Sequence, residues 1–307
     1  MTRFSARLSP VAAALLVAVV GVAAAAPQGG VEKSILVTVL DRAGAPLRDL
    51  EPAEFLVRED EVARKVVDAR LATEPLFVSL LIDTTKPMAG VPYPTQDLRR
   101  GLMTFVRTVQ AANSATEVAL TEIAGASVTS VPFTTSFDDL SKGIGRVMAS
   151  QRSSAVLLEA LVDAARSLGQ KPGPRRAIVS VTFSSPEAST LEPRNVAVAV
   201  QEAGAAFWAV SVRGADNPSA FQAGGNAQYN TLAPTREVLL TNLPDGTGGI
   251  RLTAVSASSL ESLLKRIATA LTAQYVVTYL RPDGAPVKAI RVGAVRGATV
   301  LRGAWVR

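Results

Sequence analysis

The sequence contains no cysteine and no histidine. Without cysteine there is no disulfide, no thiol nucleophile and no thiolate-held metal. Without histidine the Ser-His-Asp triad, the Cys-His dyad and imidazole-bound zinc are all excluded. Catalysis would have to run on carboxylates, lysine, tyrosine or a hard metal ion. Aromatic residues are scarce, at 5%, and the basic residues are scattered along the chain. A nucleic-acid surface needs a basic stripe or stacking platforms, and neither is present. Charged residues reach only 19%, against 48% hydrophobic in 307 residues. That balance speaks against global disorder and allows one large domain plus a small one.

Long apolar runs are confined to one place. "VAAALLVAVVGVAAAA", residues 11–26, follows Arg3 and Arg7 and ends in small residues. This is the pattern of an export signal. The run is shorter than the roughly 20 residues that span a bilayer as a helix. We read residues 1–26 as a signal peptide and 27–33 as a linker, which predicts a periplasmic or extracellular protein with no membrane span after cleavage. An uncleaved N-terminal membrane anchor is the alternative. Arg3 and Arg7 account for two of the formal +6 charges, leaving a mild +4.

Beyond the linker, "SILVTVLD" alternates apolar and polar residues as a half-buried strand does. "AEFLVRED" and "ARKVVDARLA" read as two more strands, giving a small β region over 34–72. From residue 76 the rhythm changes. "LFVSLLID" is a near-continuous apolar run, suited to a parallel strand covered on both faces. "DLRRGLMTFVRTVQAA" follows, with Leu98, Leu102, Phe105, Val106 and Val109 on one helical face. Strands are predicted at "EVALTEIAG", "VTSVPF", "RRAIVSVTF", "AFWAVSV" and "GGIRLTAV". Helices are predicted at "SFDDLSKGIGRVM", "VLLEALVDAARSL", "RNVAVAVQEAG" and "SSLESLLKRIATALTAQY". The last opens with a capping-box pattern, Ser258 to Glu261. Residues 214–235 are too long for an ordinary connection. After "YVVTYL" the chain returns to β, with Tyr275 and Tyr279 on one strand face expected to pack against the α/β domain. The fold class is therefore α/β: a mainly parallel sheet with helices on both faces, plus a small β unit.

The pattern "VTVLDRAGAPLRDLEPAEFLVRED", the strand "LFVSLLIDTT" and the ending "LLKRIATALTAQYVVTYLRP" together resemble the bacterial von Willebrand factor A (vWA)-related proteins. The resemblance covers nearly all of the chain after the signal. It implies a Rossmann-like vWA domain over 74–272. It also implies a C-terminal β segment, 273–307, packed with 34–72. The family's functional site is a metal-ion-dependent adhesion site. An Asp-x-Ser-x-Ser loop ends the first strand, a Thr comes from a later loop, and an Asp follows the fourth strand. Those oxygens suit Mg²⁺ or Mn²⁺.

Transferred residue by residue, that site is degenerate. Asp83 keeps the carboxylate and Thr85 a hydroxyl. Pro87 stands at the third position, Ala155 at the Thr position and Phe183 at the second Asp position. Phe183 would bring an apolar ring to the coordination sphere. Ser153, Ser154 and Glu187 are the nearest stand-ins. A single carboxylate beside Lys86 compensates a divalent ion poorly. The competing reading of Asp83 is structural: a carboxylate just past a strand accepts backbone N–H groups in an Asx-turn.

Three function classes follow. The first is an exported, non-catalytic, metal-independent interaction module of adhesion or scaffold type, with an unidentified protein partner, no nucleic acid and no cofactor. The second keeps an altered Mg²⁺, Mn²⁺ or Ca²⁺ site on Asp83, Thr85, a serine of the 153–154 pair and Glu187. The third, a carboxylate-based hydrolase, lacks a convergent acid pair in the sequence.

Overall fold

Seven successive residues from Phe77 to Asp83 are buried along their whole length, and so are eight from Ala205 to Val212. Strands of that kind need cover on both faces. They are interior strands of a six-stranded sheet in a computed structural model that describes residues 30–86, 93–183, 185–212, 227–282 and 289–306. The sheet strands are β5 (Phe77–Asp83), β6 (Glu117–Ala124), β7 (Ala126–Thr134), β8 (Arg176–Thr182), β9 (Ala205–Val212) and β10 (Arg251–Ala254). Their order is β10-β9-β8-β5-β6-β7. All neighbours are parallel except β6 and β7, which pair as an antiparallel hairpin at one edge.

Alternation along β5 divides its side chains between two cores. Val78, Leu80 and Ile82 meet Leu98, Leu102 and Phe105 of α1 (Thr95–Ala112). The same core holds α2 (Phe137–Arg146) and α6 (Leu260–Leu271). Phe77 and Leu81 face α3 (Leu157–Gly169), α4 (Pro193–Glu202) and α5 (Ala227–Thr247) on the other side. The expected α/β architecture, helices on both faces of a mainly parallel sheet, is therefore present. Counted from β5, the strand order is that of a doubly wound sheet, with its switch point between β5 and β8.

Ser136 caps α2 as its sequence suggests, its hydroxyl accepting the Asp139 amide at 3.2 Å. Gly143 weakens this helix in isolation, yet a Cβ there would run into Val131 of β7. The Ser258–Glu261 capping box does not form. A short 3-10 turn over Ala257–Ser259 precedes α6, and Glu261 instead accepts the Thr104 hydroxyl of α1 at 2.9 Å. The interhelix contact wins over the local one. Helix α5 was not legible, because Pro234, Pro244 and Gly246 read as breakers. Burial of Leu239, Leu240 and Leu243 holds it in place. Its first turns overlap the end of the 214–235 excursion, while 213–226 lie outside the described residues. The chain then squeezes under β9 at Gly249, where a Cβ would overlap the Phe207 carbonyl.

The β segments from the two ends of the chain interleave. β1 (Val31–Leu40) pairs antiparallel with both β11 (Tyr275–Arg281) and β13 (Thr299–Val306). β4 (Val66–Leu71) completes that sheet. A second sheet combines β2 (Phe55–Glu59), β3 (Val62–Arg64) and β12 (Ile290–Ala294). Asp60 and Glu61, both at positive φ, form the β2–β3 hairpin turn. Tyr275 and Tyr279 face the core between these two sheets rather than the α/β domain. The Tyr275 ring lies 5.2 Å from Phe55 and its hydroxyl accepts the Leu50 amide, while Tyr279 donates to Glu59 at 2.6 Å. The second sheet offers them both an apolar wall and polar partners, which sequence alone did not reveal.

Arg175, just before β8, stitches the two units together. Its guanidinium is buried and donates to the Ala72, Glu74 and Leu271 carbonyls and to the Gln274 side chain, at 2.7–3.2 Å. Arg175→Met should leave those acceptors unpaired and lower stability by about 3 kcal/mol. Urea unfolding checks this. A loss under about 0.5 kcal/mol, typical of a surface substitution, would make the guanidinium a bystander.

Candidate functional site

Asp83 ends β5, and Phe183 follows β8, so both arrive at the switch point. The Asp83 side chain is 1% exposed. Its Oδ1 accepts the Thr85 amide at 3.0 Å and the Thr85 hydroxyl at 2.6 Å. Its Oδ2 accepts the Phe183 amide at 3.1 Å and the Ser185 hydroxyl at 2.5 Å. The Asx-type contact anticipated for Asp83 is thus present, extended by donors from the far side of the switch point. The Tyr93 hydroxyl donates to the Asp83 carbonyl at 2.7 Å. Burial and the Asp83 charge push the Tyr93 phenol far above its ordinary pKa, so it stays a donor.

The Phe183 ring does not enter the space beside Asp83. It packs on Tyr93, ring centroids 5.2 Å apart, as part of the core beneath α1. What Phe183 supplies to the carboxylate is its backbone amide.

Ala155 is buried and forms a two-bond bridge with the 186–188 segment. Its amide donates to the Pro186 carbonyl and its carbonyl accepts the Ala188 amide, both at 2.8 Å. This bridge places Glu187 under the first turn of α3. Glu187 Oε1 accepts the Leu157 amide at 3.0 Å, the Ser189 amide at 3.2 Å and the Ser189 hydroxyl. The Ser189 hydroxyl in turn accepts the Leu158 amide at 3.1 Å. Glu187 therefore satisfies a helix N-terminus that has no N-cap side chain of its own, where a negative charge is favoured. Ser153 is exposed, and Ser154 accepts the Gly125 amide through its carbonyl. Among the described residues neither serine hydroxyl reaches Asp83. Pro87 lies outside the described residues.

One residue that sequence reasoning missed stands between the two carboxylates. Arg236 of α5 is 5% exposed. Its Nη2 lies 3.5 Å from Asp83 Oδ2 and its Nε 3.9 Å from Glu187 Oε2. Nη1 donates to the Ser185 carbonyl at 2.7 Å and Nη2 to the Phe183 carbonyl at 3.0 Å. No motif marked Arg236, because its helix was not legible and its partners are distant in sequence. The resulting cluster holds two buried carboxylates and one buried guanidinium. The oxygens alone suit a hard cation, but the seat between them is filled by a side chain, so the residues do not fit a bound metal. Among the described residues, no three His, Cys, Asp or Glu side chains gather as a metal cluster.

The fold and this cluster define the class: an α/β unit with a doubly wound, mainly parallel sheet whose switch point carries a buried arginine between two carboxylates. No protein-family model and no curated protein sequence matches the chain. Among solved structures, it is similar to a von Willebrand factor type A protein from Catenulispora acidiphila. That match has 12% identity and TM-score 0.47, covering 90% of this chain and 72% of the other. BatB from Bacteroides thetaiotaomicron matches at 15% identity and TM-score 0.44, over 64% of this chain and 98% of that one. Proximal thread matrix protein 1 from the mussel byssus matches at 12% identity and TM-score 0.49. There the match covers 69% of this chain but only half, 50%, of the mussel protein. Likeness at this level says nothing about ligands or partners.

Burial raises the Glu187 pKa, outweighing the opposing pull of Ser189, Arg236 and the backbone amides. Between about pH 4.3, the unfolded glutamate value, and its higher folded value, the native chain holds a proton that the unfolded chain has released. Stability should therefore fall as pH rises through that window. Urea unfolding at pH 4 and pH 7 should show a smaller drop for Glu187→Gln than for the wild type. Equal drops would refute the raised value.

Proposed function

We propose that the chain is an exported, non-catalytic protein-interaction module of vWA type that engages its partner without a metal ion. The carrying observation is the saturation of Asp83 by four hydrogen bonds and the Arg236 guanidinium. With the guanidinium seated on it, that carboxylate presents no open position to a divalent ion. The same engagement argues against general acid–base work by the Asp83–Glu187 pair. Histidine and cysteine chemistry are absent altogether.

The binding surface in this reading is the rim around the switch point, formed by the described residues 84–86 after β5, the loop before α3 and residues 185–190 after β8. Functional loops on a rigid sheet are physically reasonable. Lys86 and Arg152 are exposed there, joined by a backbone hydrogen bond from the Lys86 amide to the Arg152 carbonyl. Export rests on the N-terminal sequence pattern, which lies outside the described residues. No described helix is long and apolar enough to cross a membrane.

Thermal unfolding of residues 27–307 in EDTA, then in millimolar Mg²⁺, Mn²⁺ or Ca²⁺, should give one and the same midpoint. A ligand at 100 times its Kd adds about 2.7 kcal/mol to a native state that alone binds it. A rise of that size, lost in Asp83→Ala, would establish the metal-dependent alternative instead. For the interaction role, partner capture from the exported proteins of the source cell should persist in EDTA. It should fall at least tenfold in the double reversal Lys86→Glu, Arg152→Glu, with folding unchanged.

A further inference from the structure

We propose that Arg236 is the resident cation of this module, and that the oxygens around it form a divalent-cation site held shut by its guanidinium. The inference rests on the metal-independent reading above and names what makes it so.

The geometry supports it from three sides. First, the donor set is of the kind a hard cation takes: the Asp83 and Glu187 carboxylates and the Thr85 and Ser185 hydroxyls. Thr85 and Ser185 both touch the Asp83 carboxylate, and the Arg236 guanidinium spans from Asp83 to Glu187. Second, Glu187 Oε2 is a buried oxygen with no hydrogen-bond partner, and the nearest charge to it is Arg236 Nε at 3.9 Å. Its other oxygen is fully used by the α3 terminus. A buried carboxylate oxygen left without a donor is costly, and the guanidinium is the positive charge that faces this one. Third, the charges balance. When both are ionised, the two buried carboxylates carry −2 against the +1 of one guanidinium. Deleting the guanidinium leaves −2 facing an opening, which a divalent ion neutralises.

The guanidinium is also anchored where an ion could not be. Its donors to the Ser185 and Phe183 carbonyls hold the turn that carries the Asp83-binding amide and hydroxyl. Arginine suits this task because its planar fork serves several acceptors at once and remains charged when buried. Arg236 is thus a positioning residue: it ties the 183–187 loop to β5 through α5, as a metal ion would tie them from solvent.

The test compares wild type, Arg236→Ala and Arg236→Lys, each as residues 27–307, using Mn²⁺ as the probe. Electron paramagnetic resonance reads free Mn²⁺, and thermal unfolding reads stabilisation. Arg236→Ala should remove about one Mn²⁺ per chain from the free signal. Its midpoint should rise by roughly 5 °C at saturating Mn²⁺ relative to EDTA. Arg236→Lys, which keeps the charge, and the double variant Arg236→Ala, Glu187→Gln should bind at least tenfold more weakly. Folded Arg236→Ala that leaves the Mn²⁺ signal unchanged overturns the proposal while leaving the metal-independent reading intact. Wild type binding Mn²⁺ as tightly as the variant overturns that reading itself. Should Arg236→Ala fail to fold in EDTA, refolding in Mn²⁺ supports the proposal. Refolding in neither condition, for Arg236→Ala and Arg236→Gln alike, shows that the hydrogen bonds and not the charge hold the loop, and overturns it.

Discussion

A carboxylate withdrawn from water loses several kcal/mol of hydration, and the Asp83 side chain is 1% exposed. That loss dictates the top of the sheet. The Thr85 amide and hydroxyl, the Phe183 amide, the Ser185 hydroxyl and the Arg236 guanidinium converge on its two oxygens. These groups come from the ends of β5 and β8 and from α5. Each segment is therefore fixed relative to the other two by one side chain. The Tyr93 contact with the Asp83 carbonyl ties the approach to α1 to the same point.

Glu187 repeats the logic one layer away. Its first oxygen ends α3 and its second faces the guanidinium. The Ala155 bridge sets the loop before α3 beside the loop after β8. An alanine at that position, where the family resemblance expects a threonine ligand, fills core space below the bridge. Phe183, where the resemblance expects a carboxylate, supplies two other things: a ring that packs on Tyr93 and an amide that serves Asp83. Residues that do not fit the expected motif are coherent in three dimensions. Far from this point, Arg175 solves a similar problem with opposite charge, placing a buried cation among carbonyls at the seam of the two units.

Much of the architecture could be read from periodicity. The uninterrupted run at 77–83 marked a strand covered on both faces, because such a strand has no polar side. The helix over 95–112 showed its buried face at Leu98, Leu102 and Phe105 for the complementary reason. Failures came where a tertiary contact outbid a local preference. Glu261 left its capping box for Thr104. Helix α5 formed across residues that break helices because three leucines gained burial. Tyr275 and Tyr279 had the right face but the wrong neighbour, since alternation says which side a residue takes and not what lies opposite.

By itself the sequence determined the alternating α/β order, the exclusion of thiol and imidazole chemistry, and the delivery of Asp83 to the end of a buried strand. These are properties of composition and of periods two and 3.6, which are local. Only the tertiary structure decided what Asp83 would meet. Arg236, Phe183 and Ser185 reach it by sheet order and helix packing. A buried charge chooses its partner by distance in space, which residue spacing along the chain does not encode.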